Sequence, residues 1–317
     1  MIRGMRGKTM TALLGALLLT GQAFAAPPTS APAVEAARPQ PEPRPAIWLL
    51  QDADTKIYLL GTIHILPPGF RWRSAAIDDV IGRADELVLE IGDREMMADP
   101  ATLAGPMMLG KQAPLQWRVS PDRREALGRM LMEIGVMPGM LDGLHSWAAV
   151  MVIMMAASVR GMSGDGDEPL TMADIPGVEE GLEAEFRARN RPISGVETMA
   201  QQLGFFSAMS FASQRELLEQ MVDDYQRGGL EADDGEADLH AWVSGRPEAI
   251  AIPSEAIPPA LYEALLPRRN RAWTEWLIAR LDRPGTVLFA VGAGHLTGPD
   301  SVQTMLAGRG FTAARVD

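Results

Sequence analysis

The pattern of apolar and polar positions along the chain predicts an α/β fold. Short apolar runs typical of buried strands occur at "AIWLL", "KIYLLGT", "ELVLEIG", "PISGV" and "GTVLFAVGAGH". The segment "QDADT" separates the first two runs and suits a turn, which predicts a hairpin. Elsewhere apolar residues recur at helical spacing. We therefore expect a mixed α/β domain with a central, mostly parallel sheet flanked by helices. A helical insert over about residues 93–190 should separate the second core strand from the later strands.

The N-terminal segment differs from the rest of the chain. Three basic residues precede the apolar stretch "TALLGALLLTG", and an A-x-A sequence ends at Ala25. This is the pattern of a secretory signal peptide over residues 1–25. Residues 26–45 are rich in proline and alanine, which predicts an extended, disordered linker. We expect a single domain over residues 46–317, located in the periplasm or secreted.

Composition excludes several classes of function. The 317-residue chain has a net charge of −12, and loss of the basic leader would make it more acidic. An acidic protein is poorly suited to nucleic acid or anionic lipid, because both require clustered basic residues. With no cysteine, the chain has no disulfide, thiolate nucleophile or cysteine-bound zinc. No later apolar run is long enough to predict stable membrane insertion. The oligomeric state is not indicated.

Four side chains with ligand chemistry occupy equivalent places. His64 follows "YLLGTI", Glu90 follows "LVL", Glu197 follows "PISGV" and His295 follows "VLFAVGAG". Each therefore lies at or just past the carboxyl end of a predicted strand. In open α/β sheets, ligands bind in the crevice beyond these strand ends. If the strands are parallel neighbours, the four side chains converge on one site.

Two histidines and one or two carboxylates form a ligand set for a divalent metal. We predict His64, Glu90 and His295 as ligands of manganese, cobalt or zinc. Such an ion lowers the pKa of bound water from 15.7 toward about 7. Glu90 or Glu197 could serve as a general base or orient a histidine. We expect substitution of either histidine to abolish metal binding and leave the fold largely intact.

Glycines accompany both histidines in a repeated G-x-x-H motif. Gly61, Gly292 and Gly294 allow tight turns and close approach of the backbone to a ligand, so we predict that they contact the substrate. One such motif occurs often by chance, and a lone histidine after a strand is commonly structural. Two copies that both end strands favour a shared function. For the Glu197 segment, capping of the next helix by Thr198 is an equally plausible reading.

Basic residues gather at the start of the helix predicted in "RRNRAWTEWLIARL". Arg268, Arg269 and Arg271 lie where the helix dipole disfavours cations. A surface ion-pair network would explain them structurally. Recognition of a substrate carboxylate, or stabilisation of a developing oxyanion, would explain them functionally.

At these residues the chain resembles the TraB/GumN family, which includes the TraB/PrgY proteins and, more distantly, the Tiki proteases. The resemblance rests on "YLLGTIH", "LVLE", "PISGVETMAQQL", "RRNRAW" and "VGAGHLTGPDSVQTMLAGRGF", which occur in the family's order. It implies a metal-dependent hydrolase, with peptide cleavage attributed to the Tiki branch. His64, His295 and Glu90 match the family's proposed metal and catalytic positions, and Glu197 and Arg269 match further motif positions. From this resemblance we predict a catalytic role for Arg269 and substrate contact for the adjacent Asn270. The segment "MSGDGDEPLTMADIPGVEE" departs from the family by being longer and more acidic.

The leading hypothesis is an exported metal-dependent hydrolase that cleaves a peptide bond in a peptide or protein substrate. A metal-dependent esterase would use the same metal-bound hydroxide on a different bond. A protein that sequesters a peptide or signal without cutting it is the alternative outside the enzyme class. The substrate is not specified by the sequence.

Overall fold

The computed structural model describes residues 42–67, 69–92, 105–108, 110, 113–137, 139–163, 177–228, 235–250 and 258–316. The predicted signal peptide and most of the predicted linker lie outside these residues. The described strands are β1 Ile47–Gln51, β2 Thr55–Thr62, β3 Glu86–Leu89, β4 Ile193–Gly195, β5 Gly285–Gly292 and β6 Ala314–Arg315. The described α-helices are α1 Ala75–Arg83, α2 Arg124–Glu133, α3 Ser146–Ser163, α4 Val178–Ala188, α5 Met199–Ser207, α6 Phe211–Gly228, α7 Gly235–Val243, α8 Pro259–Leu265, α9 Pro267–Arg280 and α10 Val302–Gly308.

The strands form one six-stranded sheet in the order β4-β3-β5-β2-β1-β6. Neighbouring strands from β4 to β2 pair in parallel. β1 pairs antiparallel with β2 and with β6. The predicted hairpin and the mostly parallel central sheet are thus confirmed. Helices α2, α3 and α4 lie between β3 and β4 in the chain, as the predicted helical insert requires.

Helices cover both faces of the sheet, which explains why its central strands are apolar on both sides. On β2, Ile57 and Leu59 face one apolar cluster, and Tyr58 and Leu60 face another. The first cluster packs against α9 and α10, and the second against α1, α4 and α7. The alternation follows from the two-residue period of a strand.

A third apolar cluster lies among helices and gives the helical part its own core. It joins α2, α3, α5, α6 and α8, and contains the buried Trp147 and several methionines. Met fills irregular gaps between helices because its side chain is flexible and polarisable. The Met-rich pattern of the sequence therefore reflects packing here.

Two helix starts differ from the sequence prediction. The segment "SQRE" predicts a helix that a capping box of Ser213 and Glu216 opens, but α6 already begins at Phe211. Ser210 lies before the first turn instead and accepts a hydrogen bond from the Ser213 amide at 3.1 Å. The segment "SPDRREALGRMLMEIG" predicts an α-helix with Pro121 at its first position. In the structure it begins with a short 3₁₀ turn and becomes α-helical at Arg124.

None of the described helices is both long enough and apolar enough to span a bilayer. The apolar α3 serves the helical core, where Trp147 and Ile153 are fully buried.

Candidate functional site

Four strands bring their carboxyl ends to one edge of the sheet. β2 and β5 run in parallel register, so that Thr62 pairs with Gly292 at their ends. The ladder between β3 and β4 continues past both strands, because the Glu197 amide donates to the Glu90 carbonyl at 2.8 Å. Glu90 and Glu197 therefore emerge side by side next to the end of β5.

The carboxylates of Glu90 and Glu197 share their hydrogen-bond donors. Gln202 of α5 donates from Nε2 to Glu90 Oε2 and to Glu197 Oε2, each at 3.1 Å. Arg269 of α9 donates from Nη2 to the same two oxygens, at 2.5 and 2.8 Å. The Gly292 amide donates to Glu90 Oε1 at 2.8 Å. These donors hold two carboxylates together in the interior, where like charges would otherwise repel.

Arg269 is the central cation of this site and is 1% exposed. Its Nε donates to both oxygens of Glu197 at 3.1 and 2.9 Å, in addition to the Nη2 contacts. Its Nη1 contacts His295 Nε2 at 3.1 Å and the Leu265 carbonyl at 3.5 Å. A guanidinium has five N–H donors, so these contacts use all of them. Arg269 therefore organises the site from within and leaves no donor for a substrate.

Trp273 closes the site from the apolar side. It lies one turn after Arg269 in α9, and its Nε1 donates to Glu197 Oε1 at 2.9 Å. Its ring lies 4.7 Å below the Arg269 guanidinium and 4.2 Å from the His295 ring. An indole offers both a hydrogen-bond donor and a π-face to a cation, which makes it a suitable wall for a buried ion pair.

His295 is held in one tautomer. Asn270 Nδ2 donates to the Asp300 carbonyl at 2.7 Å, so its Oδ1 faces the histidine. Because an amide oxygen only accepts, His295 Nδ1 donates to Asn270 Oδ1, at 2.6 Å. Nε2 then carries the lone pair that accepts from Arg269. Burial and the charge of Arg269 lower the pKa of His295 to about 3.

The burial of His295 corrects one expectation. It is 1% exposed and packs against Trp273, so removal of its side chain would leave a cavity. A strand-end position predicts little core packing for both histidines, and this prediction is wrong for His295. For His64, whose side chain is 17% exposed, it stays a prediction.

Glu90 remains ionised despite its burial. Burial by itself would raise the pKa of the carboxyl group, but the Arg269 guanidinium and the Gly292 amide stabilise the charged form. The net result lowers the pKa of Glu90 to about 2. Its Oε1 lies 3.8 Å from His295 Nε2, which makes these two predicted ligands neighbours.

His64 pairs with a carboxylate on another element. Its Nδ1 lies 2.7 Å from Oε1 of Glu179, the second residue of α4. Thr62 Oγ1 donates to the same oxygen at 2.5 Å. Burial by itself would lower the pKa of His64, but the Glu179 carboxylate, with a smaller contribution from Glu90, raises it to about 9. His64 Nε2 and Glu179 Oε2 are buried without a hydrogen-bond partner among the described residues.

The start of α4 is fitted closely to the His64 loop. The Val178 amide donates to the Ile63 carbonyl at 3.0 Å. A Cβ on Gly177 would lie only 2.3 Å from the His64 carbonyl oxygen, so this approach requires glycine. Glu180 closes the first turn by accepting from the Gly177 amide at 2.8 Å. The carboxylate of Glu179 is thereby placed beside His64, at a helix N-terminus that favours negative charge.

The structure brings together most of the predicted site residues. Glu90, Glu197, Arg269 and His295 lie in one hydrogen-bonded cluster, and the electrostatic influence of Glu90 reaches His64. Thr198 caps α5, as the capping interpretation of this segment predicts. The functional role of the neighbouring Glu197 stays a prediction.

The residues predicted to contact the substrate have internal partners. Asn270 is 1% exposed and orients His295. The Gly292 amide binds Glu90, and the Gly61 carbonyl accepts from Trp242 Nε1 at 2.8 Å. The Gly294 carbonyl accepts from Thr297.

Sequence reasoning missed four contributors: Glu179, Thr62, Gln202 and Trp273. Gln202 and Trp273 stand in helices whose patterns suggested only packing. Glu179 was part of an amphipathic segment, and its proximity to His64 depends on how α4 docks. The paired acidic residues Glu179 and Glu180 indicate a helix N-terminus, but the local pattern does not identify the side chain that Glu179 meets.

The predicted metal ligands differ in availability. His64 has a carboxylate on Nδ1 and, among the described residues, no partner on Nε2, which is the usual environment of a metal-binding histidine. Glu90 and His295 Nε2 instead receive hydrogen bonds from Arg269. No group of three His, Asp or Glu side chains within the described ranges is arranged to hold a metal ion. Of the three predicted ligands, only His64 therefore has an open nitrogen among the described residues, and Arg269 is hydrogen-bonded to the other two.

The fold and site together define an α/β protein with a buried charged centre at the carboxyl edge of its sheet. The model of the TraB/PrgY/gumN family matches residues 46–315. The chain therefore belongs to this family. Neither a curated protein nor a solved structure matches it.

Proposed function

We propose that the protein is a metal-dependent hydrolase that acts on peptide bonds at the carboxyl edge of its sheet. The observation that carries the proposal is the His64–Glu179 pair. His64 is fixed through Nδ1 at 2.7 Å, and its Nε2 is buried without a partner among the described residues. An unpartnered buried nitrogen costs free energy unless a ligand satisfies it.

Charge supports a cation at this position. Glu90, Glu197 and Glu179 contribute three carboxyl groups, and Arg269 contributes one guanidinium. The raised pKa of His64 reflects the attraction of this environment for positive charge. A divalent cation beside His64 Nε2 would satisfy the same attraction.

The residues that would hold the metal are His64, Glu90 and His295, with manganese, cobalt or zinc as suitable ions. When bound, the ion would polarise a carbonyl and supply hydroxide near neutral pH. Glu179 orients the His64 ring, and Asn270 keeps the lone pair of His295 on Nε2. Glu197, Gln202 and Trp273 fix the position of Arg269 and the neighbouring Glu90 carboxylate. They act as positioning residues.

A peptide or protein substrate is proposed for this site, and action outside the cytoplasm is proposed from the leader sequence. An ester substrate would be compatible with the same residues and ion, so matched ester and peptide panels distinguish the two. A sequestering role would leave a bound peptide uncut.

The proposal is tested by elemental analysis of the protein expressed as the full chain. Protein purified without chelators or affinity metals is reconstituted with manganese, cobalt or zinc and incubated with a peptide library. We expect about one equivalent of metal and cleaved peptides detectable by mass spectrometry. His64→Asn should lose both, and His240→Asn in α7 should retain both. Absence of metal under every condition, with peptides recovered intact, would replace this proposal with sequestration.

A further inference from the structure

The contacts of Arg269 are distributed unequally among its partners. Glu197 accepts hydrogen bonds from Arg269 Nε at both carboxylate oxygens and from Arg269 Nη2 at Oε2, the latter at 2.8 Å. Its Oε1 also accepts from Trp273. Glu90 Oε2 accepts one hydrogen bond from Arg269 Nη2, and His295 Nε2 accepts one from Arg269 Nη1. Glu197 is thus the anchor of the guanidinium, whereas Glu90 and His295 each hold it through one contact.

The position of Arg269 depends on these partners. Arg269 lies in the first turn of α9, where the helix dipole opposes a cation, and it is removed from solvent. Neighbouring Arg268 lies in the same turn on the exposed side. A buried guanidinium without carboxylates would be strongly unfavourable, so the two glutamates keep Arg269 in the centre.

We propose that Arg269 is the resident cation of the centre and competes with a divalent metal ion for Glu90 and His295. This inference rests on the proposed metal site of His64, Glu90 and His295. Two of those ligands face the guanidinium at 2.5 and 3.1 Å, and the lone pair of His295 Nε2 cannot serve both partners. Metal binding would therefore replace the hydrogen bonds of Arg269 to Glu90 and His295, while Arg269 stays bound to Glu197.

The competition has a direct consequence for metal affinity. Removing the guanidinium frees His295 Nε2 and leaves Glu90 and Glu197 without their main counter-ion. Two buried carboxylates without a counter-ion attract any available cation more strongly. Loss of Arg269 should consequently tighten metal binding, which is the opposite of what loss of a supporting residue would do.

The test compares the affinity of the full-length protein for Mn²⁺ with those of its Arg269→Gln and Arg268→Gln variants. Each is stripped with chelator, dialysed and titrated by isothermal calorimetry. We expect Arg269→Gln to bind Mn²⁺ about tenfold tighter, within the usual range of coupling between two ligands. Arg268→Gln removes the same charge from the same helical turn and should change the affinity less than about twofold.

Equal or weaker binding by Arg269→Gln, with binding retained by the unsubstituted protein, would overturn the competition and leave the proposed function standing. Absence of Mn²⁺ binding in both proteins would instead refute the metal site itself. If Arg269→Gln does not fold, Arg269→Lys decides the question. Lysine keeps the charge but cannot span both carboxylates and His295. Tighter binding by Arg269→Lys would support the competition, and unchanged or weaker binding would overturn it.

Discussion

His64 follows β2 and Glu179 opens α4, yet Nδ1 of the histidine and Oε1 of the glutamate lie 2.7 Å apart. The pair is closed on one side by Thr62, which donates to the same carboxylate oxygen. On its other side the His64 ring presents Nε2, which has no partner among the described residues. A histidine fixed at one nitrogen and open at the other is prepared for a single ligand.

Substitution Glu179→Gln should weaken metal binding at His64. The amide keeps the shape of the side chain but removes the charge that favours the bound orientation of His64. We expect metal affinity to fall about 10–100-fold, the usual effect of changing a partner of a metal-binding histidine. Calorimetric titration with Mn²⁺ measures the change. Glu180→Gln is the comparison variant. Glu180 caps Gly177 and its charge acts more weakly on His64 than that of Glu179, so this variant should lower the metal affinity less.

The same variant also has a spectroscopic readout. In metal-free protein, Glu179→Gln should lower the pKa of His64 from about 9, since the Glu179 carboxylate is the main factor that raises it. Titration of the imidazole signals by NMR follows this directly. An unchanged titration would show that Glu179 does not govern the protonation of His64.

Substitution Glu197→Gln should destabilise the fold. It removes the charge that anchors the buried Arg269 and directs an amide toward the donors of Trp273 or Gln202. Breaking a buried ion pair typically costs about 3–5 kcal/mol of unfolding free energy. Urea denaturation measures the loss. Glu275→Gln, which removes an exposed partner of Arg309, should cost less than about 1 kcal/mol.

Stability of the metal-free protein should pass through a maximum near pH 6.5. The folded-state pKa of His64 is raised from 6.5 to about 9, so its contribution is complete below 6.5 and is lost as pH rises toward 9. The pKa of Glu90 is lowered from 4.5 to about 2, so its contribution is present above 4.5 and is lost as pH falls toward 2. The pKa of His295 is lowered from 6.5 to about 3, so protonation of the unfolded chain reduces stability below 6.5.

Urea denaturation at pH values from acid to alkaline tests this profile. His64→Asn should flatten the alkaline side and leave the acid side in place. A profile whose alkaline side is unaffected by His64→Asn would contradict the assignment.

Substitution Gly177→Ala should disturb the junction between α4 and the His64 loop. The added Cβ would lie 2.3 Å from the His64 carbonyl oxygen, so one of the two backbones must move. We expect a loss of about 1–3 kcal/mol in unfolding free energy, as for overpacked interiors, together with weaker metal binding. Thermal and urea unfolding measure the loss of unfolding free energy, and calorimetric titration measures the metal binding. Gly128→Ala in α2 has no atom within 4 Å of its new Cβ and should be neutral or slightly stabilising.

Much of the site could be predicted from local patterns. Apolar runs that end in His64, Glu90, Glu197 and His295 place each residue at a strand end. Parallel pairing then brings three of them into one cluster with Arg269 and leaves His64 beside it. The start of α6 was placed incorrectly because Ser210 and Ser213 both suit a helix N-terminus, and local chemistry does not choose between them.

The sequence alone determined the class of the fold, because strand and helix periods are local properties. It also determined at which edge of the sheet the candidate site lies and which residue types are available there. Only the tertiary structure decided the partners. Glu179 meets His64 because α4 docks at Gly177, and Gln202 joins the carboxylates because α5 packs over the ends of β3 and β4. Tertiary packing also placed Arg269 between Glu90, Glu197 and His295. Distances between side chains of distant segments depend on the docking of whole elements, which no local pattern encodes.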